Sequence, residues 1–309
     1  MLLVNMKITF RTSTGRSAHL EVSRLNPYVL TGGSPSRIKK VAEFLEKPEV
    51  FVGERGHVVV NGFHNGLGIS AISTGMGPSS VMIILPEIIE AVEDDFMVIL
   101  RLGTSGSLQQ HVKRGHIHIP TSCVRDEGAT TAVIGLEYPA ISSIELIPLL
   151  LKAAEENGYI LGRNLWIGPV HTKDDLYFRE RPGFSPRRLE LKERIKSFIE
   201  MGVISSEMEF SAYCILRDYY EGYLDKRIFT GCVLAVVSDY SEEGLIDTSG
   251  VDPSKIDYQL IKIGLETFSI FRKLKQKETV NIDNVYNLLL SLNPRSSYIS
   301  RMKDESASN

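Results

Sequence analysis

The sequence predicts an α/β fold carried by one domain. Three observations lead there. Short β-rich runs alternate with helical patterns along the chain. The run "IFTGCVLAVV" (228–237) is almost wholly apolar, as in a strand buried on both faces of a sheet. No internal repeat and no Pro/Ser-rich linker interrupts residues 25–275.

Each element has its own signal. "HVVV" (57–60), "LGISAIS" (67–73), "FMVIL" (96–100), "HIHIPTSCV" (116–124) and 228–237 read as strands. Ser34 followed by Pro35 is a helix start, and "SRIKKVAEFLEK" continues it. A second helix spans about 79–92 and contains Pro86. A third covers "IPLLLKAAEENG" and ends on Gly158. "RRLELKERIKSFIEMG" is amphipathic and ends on Gly202. The last helix begins near Asp252-Pro253, with Ile256, Leu260, Ile263, Ile270 and Leu274 on one face. Residues 277–309 turn polar, which predicts an extension that is partly helical and then frayed.

Composition narrows the function classes. The 309 residues are 43% hydrophobic and 24% charged, with net charge −3. That is a globular composition without the basic excess that binds nucleic acid or anionic membrane. No apolar run approaches the roughly 18 residues of a membrane span, and the apolar start is too short for a signal peptide. Three cysteines, none in a C-x-x-C pair, fit a reduced compartment. The expected location is the cytoplasm. No His/Cys cluster has zinc spacing.

Three glycine-containing loops look suited to an anion: "TGGSPSR" (31–37), "STGMGPSS" (73–80) and "RLGTSGS" (101–107). Glycine allows sharp turns and close approach, and helix starts offer N–H groups to anions. Arg37 falls in the first turn of its helix, where a cation opposes the dipole unless an anion binds. Arg101 ends an apolar strand, where α/β sheets place ligands. No loop has the P-loop or dinucleotide spacing. "VISSEMEFSAY" (203–213) sets Glu207 and Glu209 on one side of an extended segment, a pair able to accept from vicinal hydroxyls. Acidic residues at a solvated helix start are the plainer reading of that pair.

Taken in order, "TGGSPSRIKKVAEFL", "ISTGMGPSS", "LRLGTSGSLQ", "GLEYPA", "SSEMEFSAY" and a strand ending "VVSDY" resemble the uridine phosphorylase and purine nucleoside phosphorylase family across about 19–275. The resemblance implies a single domain over 1–276 with a central mixed, partly barrel-like sheet flanked by helices. It implies phosphate-dependent, reversible cleavage of a ribonucleoside to free base and ribose 1-phosphate by a pentosyltransferase. It places phosphate at Gly33, Arg37, Arg101 and Thr104, with Arg55 donated by a neighbouring subunit. It places ribose at Met208 and Glu209 beside Glu207, with His19 also crossing the dimer. The base falls to Ser105, Gly106, Arg179, Arg181 and Asp239, with Tyr177 and Phe178 as stacking candidates. No cofactor is implied, inorganic phosphate being a substrate. A monovalent-cation glutamate of some relatives is replaced here by Gly56, so no metal is expected. The expected partners are the nucleoside and phosphate within a dimer-based homo-oligomer, a hexamer by resemblance.

The base is the open point. Asp239 in "VVSDY" matches the purine enzymes, where a carboxyl group can protonate N7. That favours a purine, with Asp239 and Arg101 as catalytic residues. The overall pattern, including "GLEYPA", is nearer the uridine enzymes. A nucleosidase using water and a non-catalytic binding protein are the competing readings.

Overall fold

The structure, a computed structural model, describes residues 7–180, 182–224, 226–241 and 248–275. The extension over 277–309 lies outside them, as does Arg181. The elements in order are β1 (Tyr28–Gly32), α1 (Pro35–Val41), β2 (Glu46–Val52), β3 (Val58–His64), β4 (Leu67–Ser73), α2 (Pro78–Ala91), β5 (Phe96–Ser107), β6 (Ile117–Asp126) and β7 (Ala140–Ile141). Then follow α3 (Ile147–Glu156), β8 (Leu165–Lys173), α4 (Tyr177–Glu180), α5 (Arg188–Glu200), β9 (Ser205–Glu207), α6 (Phe210–Tyr223), β10 (Arg227–Ser238) and α7 (Pro253–Lys275).

All the strands join one mixed sheet, in the order β10-β6-β8-β9-β5-β1-β4-β3-β2, with β7 beside β6. β10 also pairs with β5, so β10, β6, β8, β9 and β5 close into a ring. This is the partly barrel-like sheet, and β1, β4, β3 and β2 extend from it as an open arm. α1, α3 and α7 cover one face, while α2 and α6 pack together on the other. Among the described residues no helix is long and apolar enough to cross a membrane.

β5 explains where the site falls. Its side chains alternate between two cores: Val98, Leu100 and Leu102 enter one, Met97 and Ile99 the other. By the same period Arg101 follows Met97 and Ile99 toward α2 and α6. One edge of β5 pairs with β1 up to Arg101, and pairing on that edge resumes with β9 only at Gly106. The interval Leu102–Ser105 is thus a break between two neighbours, the kind of switch point at which α/β sheets bind ligands.

Three expectations need correction. Residues 101–107 are not a loop after a strand; they continue β5, because β10 pairs with it as far as Gly106. The first helix stops at Val41 with one 3-10 turn to Phe44, and residues 46–52 form β2. Pro48 removes an N–H and disfavours helical backbone at Lys47, whose φ is 48°. β1, β2, β7, β8 and β9 were not among the expected strands. β1 and β8 are short apolar runs without clear alternation, and the all-exposed β2 carries its proline at a register irregularity. The "GLEYPA" segment is stapled from beneath by buried Arg125, which donates to the carbonyls of Gly135 at 2.6 Å and Tyr138 at 2.7 Å.

Candidate active site

Arg101 is 3% exposed, a cation inside the protein. Its Nη2 contacts Glu209 Oε2 and lies 3.0 Å from Glu207 Oε2, and its Nε donates to Glu207 at 3.1 Å. Burial works against its charge, but Glu209 and Glu207 outweigh burial and raise its pKa above the ordinary arginine range. Gly103 makes the room: a Cβ there would lie 2.9 Å from Arg101 Nη2 and 2.7 Å from Leu234.

The two carboxylates are built differently. Glu207 ends β9 and accepts from Thr172 Oγ1 at 2.5 Å, Glu209 N at 2.8 Å and Phe210 N at 3.0 Å. It anchors the turn that starts α6. Glu209 is the N-cap residue of α6, and its Oε1 accepts from Gly77 N, the N-cap of α2, at 2.8 Å. One carboxylate therefore joins two helix starts to Arg101. Burial raises the Glu209 pKa, Arg101 opposes the rise, and Glu207 adds to it.

Around this core lies a cavity of about 690 Å³. Its lining includes Gly33, Arg37, Arg101 and Thr104, together with Gly75 of the 73–77 turn. Gly33 has to be small, since a Cβ would stand 3.0 Å from Gly75 O. Arg37 does not await a ligand to satisfy its charge: its Nε donates to Asp257 Oδ1 at 2.6 Å and its Nη1 to Leu102 O at 2.9 Å. Asp257 comes from α7, 220 positions away in the chain. Arg55 lines the cavity of its own chain, next to Gly56 and His57. The His57 ring Nδ1 is 2.8 Å from Ser73 O.

Ser105, Gly106, Leu176, Lys173, Ser206, Val237 and Ser238 also line the cavity, with Met208 beside Glu207 and Glu209. β5 carries the wall from Arg101 to Gly106, five residue steps or about 16 Å of extended chain. Ser105 Oγ is buried without a hydrogen-bond partner.

Several expected contacts are elsewhere. Tyr177 and Phe178 are 75% and 55% exposed on α4 and do not line the cavity; Leu176 does. Arg179 turns the other way and contacts Asp126 and, at 3.4 Å, Asp175, because these carboxylates meet it first. Asp239 is also outside the lining. Arg114 holds both its oxygens, by N at 2.7 Å and Nε at 3.2 Å. Both carboxylate oxygens thus have a donor outside the cavity lining, while the neighbouring Ser238 lines it. His19 is likewise outside its own chain's lining, with Nδ1 2.6 Å from buried Glu87.

The sequence reading missed His57, Lys173, Leu176 and Ser206. Lys173 lies in none of the matched segments, and Ser206 lies in "SSEMEFSAY" without an assigned role; only the β8–β9 pairing, His171 opposite Ser206 and Thr172 opposite Glu207, brings them together.

The model of the phosphorylase superfamily matches residues 27–220. The chain belongs to the nucleoside phosphorylases. A uridine phosphorylase of Treponema pallidum is 29% identical over 244 residues, covering 78% of this chain and 90% of the relative. One from Haemophilus influenzae is 30% identical over 182 residues, 58% of this chain and 69% of the relative. A guanosine phosphorylase of Halorubrum lacusprofundi is 27% identical over 161 residues, 52% of this chain and 64% of the relative. As a nucleoside phosphorylase the protein is a pentosyltransferase. The preference for a purine argued from Asp239 is not confirmed: two of the three relatives above are uridine phosphorylases and one is a guanosine phosphorylase, and Asp239 is bound to Arg114.

Proposed function

We propose that this nucleoside phosphorylase cleaves a pyrimidine ribonucleoside, uridine in the first place, reversibly with inorganic phosphate. The observation that carries the reading is Arg101, fixed by two carboxylates at the break in β5 pairing and facing a cavity with Arg37 and Arg55 on its wall. Phosphate is assigned to Gly33, Arg37, Arg101 and Thr104, with Arg55 at the rim. A pre-oriented cationic site spares the reaction the cost of ordering donors around the anion. Ribose is assigned to Met208 and Glu209, and Glu207 holds Glu209 and Arg101 in register. As the glycosidic bond stretches, the ribosyl centre gains oxocarbenium character, which a carboxylate on the ribose side favours. Ser105 and Gly106 take the base.

The chemistry balances with these groups. A phosphate oxygen forms the new bond to C1′, and the C1′–N1 electron pair leaves with the base. The proton carried in by hydrogen phosphate ends on the released base. His19, outside its own chain's lining, is assigned to a homo-oligomer in which it reaches a neighbour's site, while Arg55 serves the cavity of its own chain. β2, which precedes Arg55, is exposed at all seven positions, and Val50, Phe51 and Val52 at its end form a short apolar stretch suited to contact between copies.

A nucleoside panel (uridine, thymidine, inosine, guanosine, adenosine) assayed with and without phosphate tests the reading. Uridine cleavage that requires phosphate is expected; cleavage at the same rate in water alone would convert the enzyme to a nucleosidase. Asp239→Asn is expected to change kcat/KM by less than about 3-fold on every nucleoside of the panel, as for a surface pair of modest energy. A loss confined to inosine and guanosine would restore the N7 acid.

A further inference from the structure

Lys173 is a charged residue of the cavity wall to which the sequence motifs give no role. β8 ends on it, it is 1% exposed, and it lines the cavity beside Ser206. Its Nζ donates to Ser206 Oγ at 2.5 Å. Ser206 Oγ is 3.0 Å from His171 Nδ1, and His171 Nε2 is 3.0 Å from Asp126 Oδ2. All four side chains are buried. Asp126 is paired in turn with Arg179 and, at 2.6 Å, with Arg194.

The ends of this chain set its polarity. An ammonium can only donate, and an ionised carboxylate can only accept. Ser206 accordingly accepts from Lys173, and with the imidazole in its neutral Nε2–H form it donates to His171 Nδ1 while His171 donates to Asp126. The serine proton is thereby committed away from the ligand, and the cation at the cavity wall is held from behind by a line of hydrogen bonds. Gly106 pairs with Ser206 across β5 and β9, so this cation stands by the part of β5 assigned to the base.

We propose that Lys173 donates to a carbonyl oxygen of the base and stabilises the negative charge that gathers there as the glycosidic bond breaks. Ser206, His171 and Asp126 are positioning residues for it. The assignment rests on the reading of the cavity as a pyrimidine nucleoside phosphorylase site. A uracil ring leaving from N1 spreads its electron pair onto two carbonyl oxygens, where a fixed cation acts directly. No proton need leave Lys173, since the one carried by phosphate ends on the base. Lys173 also favours the ionised form of Glu209, and that effect is independent of which base leaves.

Leaving-group dependence separates the two roles. kcat/KM is measured with phosphate on uridine and 5-fluorouridine for the wild type, Lys173→Met and Lys173→Arg. Fluorouracil is the more acidic base and leaves with less help. Lys173→Met is expected to lose about 100-fold on uridine but only about 10-fold on 5-fluorouridine, the scale of a charge-assisted hydrogen bond that grows in the transition state. Lys173→Arg is expected to restore much of the uridine rate. Equal losses on both substrates would reduce Lys173 to a partner of Glu209 and overturn the proposal, while a wild type inactive on uridine with phosphate would overturn the site reading itself. Should Lys173→Met not fold, Ser206→Ala keeps the charge and loosens its support. It is expected to lose about 10-fold on uridine and less on 5-fluorouridine, and a uniform loss again counts against the assignment.

Discussion

Arg101→Ala is expected to lower kcat/KM for phosphate-dependent cleavage by about 1000-fold, with the apparent KM for phosphate rising far more than nucleoside affinity falls. Two effects combine. The nucleophile loses its buried donor, and Glu207 and Glu209 lose the cation that both of them contact. Leaving buried carboxylates uncompensated costs on the order of 3–5 kcal/mol of stability, readable as a lowered urea midpoint. The sign of its pH dependence follows from Glu209. Burial already raises that carboxyl's pKa, and Arg101 is the main group opposing the rise. Without Arg101 the folded state binds the Glu209 proton more readily still. The stability deficit should therefore be smallest below the ordinary carboxyl pKa of 4.5 and should grow as pH rises through the raised value. Arg101→Lys keeps a charge but not the planar fork that bridges two carboxylates, so activity between wild type and alanine is expected. Unchanged phosphate dependence in Arg101→Ala would remove the phosphate assignment.

The second large effect is on stability and lies behind the site. His118→Gln is expected to flatten the acid side of the stability curve between about pH 6.5 and pH 3. His118 is fully buried on β6, with Nδ1 2.8 Å from Ser205 Oγ and Nε2 3.2 Å from Gly168 O. Burial lowers its pKa from 6.5 to about 3, with the Gly168 hydrogen bond opposing weakly. In that interval the unfolded chain binds a proton that the folded chain refuses, so wild-type stability is complete above pH 6.5 and falls as pH falls. At about 1.36 kcal/mol per pH unit, the full interval corresponds to about 5 kcal/mol. Urea midpoints from pH 7 to pH 4 check it. The glutamine variant starts less stable at pH 7, having lost buried hydrogen bonds, but should lose less on acidification. An undiminished slope would assign the acid sensitivity to other groups.

These experiments bear on what holds the cavity rather than on its outline, and the outline was the more legible part. Gly33, Arg37, Arg101, Thr104, Ser105, Gly106, Glu207, Met208 and Glu209 lie in three short contiguous segments, and all of them line one cavity. Contiguity is what made them readable: each segment carries its own turn and its own ligand-facing side chains. The base end was less legible. Tyr177, Phe178, Arg179 and Asp239 were assigned from the resemblance and their side-chain chemistry, and none of the four lines the cavity. Their direction depends on Asp126 and Arg114, which no local pattern ties to them. Arg37 shows the same limit. A cation in the first turn of a helix suggested an anionic ligand, yet Asp257 of α7 already meets it.

By itself the sequence determined the α/β class, the family and the glycine- and arginine-bearing segments of the cavity wall, because apolar period, glycine turns and contiguous motifs are properties of neighbouring residues. The tertiary structure decided the rest. It ran β5 straight through the segment expected to be a loop, and it let pairing on one edge lapse between Arg101 and Gly106. It brought Glu209 onto Arg101 from 108 positions away, and it stood Lys173 on a line of hydrogen bonds reaching back to Asp126. Those contacts depend on which strands become neighbours in a closing sheet, and strand order is fixed only when distant segments bury their faces together.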